Sequence, residues 1–97
     1  MMLDSQHTKW LMMSPNVFVD IIDDSLMLLY NTHGGIIKIS RDEKLINLIK
    51  MLYAHINLGV VKYEILDKYN SHDIDWALKN GVISIEESDV KPIIYLP

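Results

Sequence analysis

The 97-residue sequence predicts an α+β chain: a three-stranded antiparallel sheet, then three helices, then a short C-terminal strand or strands. Three observations carry that reading. Between Val17 and Ile39, three runs rich in β-branched and aromatic residues are separated by turn residues. From Leu45 onward, apolar residues recur at three- and four-residue spacing, the period of a helix with one buried face. After Gly81, Val82-Ile83-Ser84-Ile85 returns to strand-like composition.

Taken in order, the first ten residues are polar and irregular up to Trp10, and Leu11-Met12-Met13 then meets the breaker pair Ser14-Pro15. This stretch reads as an entry segment. Val17 to Ile22 is the first expected strand, Asp23-Asp24-Ser25 a turn, and Leu26 to Tyr30 the second strand of a hairpin. Asn31-Thr32-His33-Gly34-Gly35 is a second turn, because glycine reaches positive φ at low cost. Ile36-Ile37-Lys38-Ile39 completes a meander, which leaves one strand at an edge with unpaired backbone donors and acceptors. Ser40 is the expected N-cap of the first helix, with Glu43 closing a capping box. Leu45, Leu48, Ile49, Leu52 and Ile56 form its apolar stripe, and Asn57 and Gly59 end it. Val60-Val61 leads into a short helix from Lys62 to Tyr69, and Asn70-Ser71 recaps the chain for a third helix from Asp73 to Asn80.

Length and composition suit one domain over residues 1–97: the chain is 49% hydrophobic and 23% charged, an ordinary globular balance. Without cysteine there is no disulfide framework, thiolate nucleophile or cysteine metal site, and a reducing, cytoplasmic setting is the simplest reading. No run approaches about 18 consecutive apolar residues, so neither membrane insertion nor a signal peptide is indicated. A net charge of −4 repels a phosphate backbone on average and disfavours nucleic acid as a partner. The tail Pro92-Ile93-Ile94-Tyr95-Leu96-Pro97 is apolar to its last residue, whereas chain ends are usually polar. Two readings follow: a fragment of a longer protein, or a terminal strand docked on the sheet.

Catalytic patterns come out empty, so the chain reads as a non-enzyme without a cofactor or metal. His7, His33, His55 and His72 lack the spacing that aims two imidazoles at one ion, and no carboxylate pair completes a set. Asp23-Asp24 is turn chemistry, and Gly34-Gly35 lacks the further glycine, lysine and hydroxyl residue of a phosphate loop. Neither Ser14 nor Ser71 sits in a Gly-x-Ser-x-Gly elbow.

What remains is an exposed strand beside a helix with an off-stripe aromatic. Asp73, Trp76, Ala77 and Asn80 share a helix face that adjoins the Ile74/Leu78 face. Trp76 then either lines a groove or packs under the neighbouring segment. An edge strand supplies backbone hydrogen bonds to an added peptide strand, and a flanking apolar wall supplies side-chain pockets.

The run Ile36 to Ser40 feeding a helix, and Ile65 to Tyr69 ahead of Asp73 to Ile83, resemble PqqD-like domains, the precursor-peptide recognition elements of ribosomally made, modified peptides. More narrowly, Lys9-Trp10, Asn16-Val17-Phe18, Leu28-Leu29-Tyr30-Asn31-Thr32 and Lys91-Pro92 look like the N-terminal region of pseudo-radical-SAM proteins of Bacteroidales systems whose precursors carry a Gly-Gly leader. The resemblance implies an N-terminal fragment that binds a leader peptide and presents it to a maturation enzyme, with a radical-SAM maturase as a further partner. It implies a binding strand of Ile36, Ile37, Lys38 and Ile39, and a helix wall of Asp73, Trp76, Ala77 and Asn80. The third helix is shorter than that pattern and a strand is added after Gly81. Two rival functions remain. The three helices also resemble a winged helix-turn-helix, but Ser71 to Asn80 carries two aspartates against one lysine, the wrong sign for phosphates. The other rival is structural: docking the rest of a longer chain, or a homodimer through the edge strand.

Overall fold

A computed structural model describes residues 8–23, 25–54 and 57–96. His7 and the residues before it, Asp24 of the expected turn, His55 and Ile56 at the expected helix end, and Pro97 lie outside the described residues.

Among the described residues, six strands and three helical segments follow in the order β1 (Thr8–Met13), β2 (Val17–Asp23), β3 (Leu26–Asn31), β4 (Ile36–Ser40), α1 (Glu43–Tyr53), β5 (Val60–Lys62), a 3-10 helix (Tyr63–Lys68), α2 (Ser71–Lys79) and β6 (Ile83–Ser88). They form two three-stranded antiparallel sheets, β5-β1-β6 and β2-β3-β4. The expectation of a single sheet followed by three helices is therefore overturned. A strand precedes the meander and β5 separates α1 from the later helical segments, whereas β6 is the strand expected after Gly81, placed in the β5-β1-β6 sheet.

The β5-β1-β6 sheet is built around the entry segment. Trp10 to Met13 is the middle strand of its sheet, with Leu11 opposite Val61 on one side and Ile85 on the other. Leu11 and Met13 are fully buried, and Trp10 is buried with its indole N–H donating to the Ser88 carbonyl at 3.1 Å. These are non-local pairings, so the segment has no meaning as a strand until residues far along the chain return to it. Val60-Val61 is likewise a strand in its own right, and the helix after it is a 3-10 turn of six residues.

The β2-β3-β4 sheet is built from the runs between Val17 and Ser40. Asp23 closes the first turn by accepting from both the backbone N–H and the hydroxyl of Ser25, each at 2.7 Å. These bonds hold its carboxyl below the usual range. Asn31 organises the second turn, its Oδ1 accepting from the N–H groups of His33 and Gly35, while Gly34 takes φ +83°. The helix that follows is capped two residues later than the capping box implies. Asp42 accepts from the Lys44 N–H at 3.0 Å, while the Ser40 hydroxyl accepts from the Asp42 N–H. Ser40 is thus the buried last residue of β4 and not the N-cap.

One hydrophobic cluster joins the two sheets. Leu45, Ile46, Leu48, Ile49 and Leu52 of α1 meet Leu11 and Met13 of β1, Met27 and Leu29 of β3, Ile74 and Ala77 of α2, and Val82 and Ile83. Tyr53 ties α1 to the second sheet through a hydroxyl donating to the Val17 carbonyl at 3.1 Å. The extended tail packs Ile94 and Leu96 against Gly59, where an added Cβ would stand 2.9 Å from a Leu96 methyl. Gly59, at φ +79°, is the position where that close approach requires glycine. The tail therefore docks on the core without joining a sheet, and Ile93 and Tyr95 on its other side are bare.

Candidate peptide-binding edge

Being last in its sheet, β4 pairs with β3 on one side and has no strand partner on its other edge among the described residues. The register sorts its residues by face. Lys38 stands opposite Leu29 and Ser40 opposite Met27, and both β3 residues are fully buried, so Lys38 and Ser40 belong to the face turned toward the helices. Ile36 opposite Tyr30 and Ile39 opposite Leu28 belong to the outer face, where they are 66% and 57% exposed. Between Ile36 and Lys38 the register shifts by one residue, which makes Ile37 a bulge; its half-buried side chain packs against the core.

The outer face of this sheet is apolar. Phe18 and Tyr30 stack across the β2/β3 pair with ring centroids 5.4 Å apart, and Leu28, Ile36 and Ile39 continue the surface, with Asp20 opposite Leu28 as its charged residue. Neither the stack nor this face was apparent in the sequence, because the strands carry apolar residues on both sides and their alternation is weak.

The second wall comes from α2, which starts at an Asn70 cap that accepts from the His72 N–H at 2.8 Å. Trp76 is half-buried against the core cluster, and Lys38 Nζ lies 4.5 Å from the centre of its ring. This cation–π contact brings the strand and helix halves of the candidate site together. Asp73, one turn earlier, is only 6% exposed, and its Oδ2 has no hydrogen-bond partner among the described residues. Burial, reinforced by the charge of Asp42, pushes its carboxyl above the usual range against the opposing pull of His72, Lys44 and Lys38.

The remaining wall residues separate from these. Ala77 is fully buried and forms part of the core beneath Trp76, so a ligand would not touch it. Asn80 is exposed at the C-terminal end of α2, where its side-chain amide donates to the Trp76 carbonyl at 2.8 Å. A cleft of about 370 Å³ lies near the α2 N-terminus, lined by Lys44, Asn47, Lys68, Tyr69 and Asn70, and includes no β4 residue. The candidate site is thus an open edge with a side wall. Among the described residues, no helix is long and apolar enough to cross a membrane.

No family model, no curated protein and no solved structure matches the chain.

Proposed function

We propose that this chain is a non-catalytic module that binds an extended peptide by strand addition along β4. The observation that supports it most is the β4 edge, which has no strand partner among the described residues, with Lys38 over the Trp76 ring of α2 as a wall beside it. A peptide strand laid on that edge would gain backbone hydrogen bonds, and its alternate side chains would meet Trp76 on one face and the Ile36/Ile39 surface on the other. The resemblance to PqqD-like domains suggests the leader of a ribosomally synthesised precursor as the ligand. It also suggests a cytoplasmic maturation enzyme, such as a radical-SAM maturase, as the recipient.

The test replaces a ladder donor. Ile37→Pro and Ile39→Pro each remove one backbone N–H, and the one whose N–H faces outward should weaken peptide binding by tenfold or so while circular dichroism stays native. Wild-type affinity in both folded variants would exclude strand addition at β4.

A second reading draws on the bare outer face. Ile36 and Ile39, beside the Phe18/Tyr30 stack, also suit a homodimer formed along the edge strand. Gel filtration separates the two: a dimer already present without peptide, and dissociated by Ile39→Lys, favours self-association.

A further inference from the structure

Lys38 is the charged residue of β4, and it lies on the face turned toward α2. An inward lysine and a bulge are both features that blunt a strand edge against indiscriminate pairing. With its ammonium 4.5 Å over the Trp76 ring, Lys38 also covers the aromatic surface that borders the groove. One turn along α2, the buried Asp73 has a carboxylate oxygen with no donor among the described residues.

We propose that Lys38 is a two-position gate on the groove: it lies over Trp76 in the free protein, and it donates to Asp73 when an apolar or aromatic side chain of the ligand takes the Trp76 face. Both residues are half-buried, and a cation–π contact that stays partly solvated is weak, so leaving the ring costs little. A charge-assisted hydrogen bond to a buried carboxylate is stronger, but it requires the ammonium to shed water, so the two positions are close in energy. Lysine suits the exchange because its charge is a compact point on a flexible four-carbon stem. The ligand supplies the bias by binding only the state with the ring uncovered. Around Asp73 stand Lys38 from β4, Asp42 from the β4–α1 link, Lys44 from α1 and His72 from its own helix. Lys44 is the competing donor. Acid neutralises Asp73 and removes the attraction, which leaves Lys38 on the ring.

The identity of the ligand rests on the strand-addition reading, whereas the gate itself is measurable without one. In NMR spectra of the intact chain, the Lys38 ε-protons should be shifted upfield by the Trp76 ring. That shift should grow in Asp73→Asn and in wild type at acid pH, and shrink in Lys44→Met, where the competing donor is gone. An identical Lys38 shift in wild type and Asp73→Asn overturns the gate. The second arm adds capped Thr-Val-X-Val-Thr peptides with Phe, Leu or Lys at the centre. Phe and Leu peptides should return the Lys38 shift toward its free value, and Lys38→Ala should bind them roughly threefold to fivefold more tightly. Peptides that perturb β4 amides yet leave Lys38 on the ring overturn the gate and keep strand addition. Peptides that perturb no β4 amide remove strand addition, and the ligand-free arm then decides the gate alone.

Discussion

Asp73 stands in the first turn of α2, where a carboxylate suits the helix dipole, yet burial and the charge of Asp42 raise its pKa. Desolvation is the larger influence. A carboxyl whose folded pKa exceeds its unfolded value of about 3.9 binds its proton more tightly in the folded state. Stability is therefore lost as pH rises from below that value through the raised folded one, and the whole penalty is present above it. Asp73→Asn removes the charge and keeps the shape. It should raise stability at pH 7 by about 1 kcal/mol, within the range for an unsatisfied buried polar group. The gain should vanish near pH 3, where the wild-type carboxyl is protonated. Urea denaturation of both proteins across pH 3 to 7 checks this, and a difference independent of pH would assign the effect to packing.

At the scale of elements, Trp76 is half-buried, touches the core cluster and lies under Lys38, so the packing expected for it is present, and the proposed groove draws on the rest of its ring. Trp76→Ala should cost about 1–2 kcal/mol of stability, less than the 3–5 kcal/mol of a fully buried tryptophan. It should also weaken peptide binding by roughly 1.5–3 kcal/mol. Thermal melts and calorimetric titration of the same variant separate the two; a full core penalty with unchanged binding would remove Trp76 from the site. Elements whose partners lie close in sequence were legible: the β2, β3 and β4 runs, the α1 stripe and most of α2. The β1 strand was not, since Leu11-Met12-Met13 shows no alternation and pairs with residues about 50 and 75 positions away. Separation along the chain also hid the Lys38–Trp76 contact, for which spacing within either element carries no signal. The cap at Asp42 was missed for a local reason: Ser40 and Asp42 both bond to a backbone N–H two residues on, and only the buried register of β4 decides between them.

At the scale of the whole molecule, charge separates the proposed partner from the rival one. The chain carries −4, and the helix that would read DNA in a winged-helix arrangement exposes Asp75 as well as Lys79, with Asp73 buried behind it. On β6, Glu86 and Glu87 are also exposed. Duplex DNA would meet these carboxylates without a lysine or arginine cluster on α2 to offset them, and DNA affinity comes largely from counterions released at such clusters. A peptide paired with β4 would instead bind through backbone hydrogen bonds and apolar contacts, which salt screens little. Titration with random duplex at about 50 mM salt should give no saturable complex. A peptide that binds the β4 edge should keep most of its affinity as salt rises tenfold. Saturable duplex binding with a steep salt slope, together with no response to any extended peptide, would transfer the function from the β4 edge to the helices.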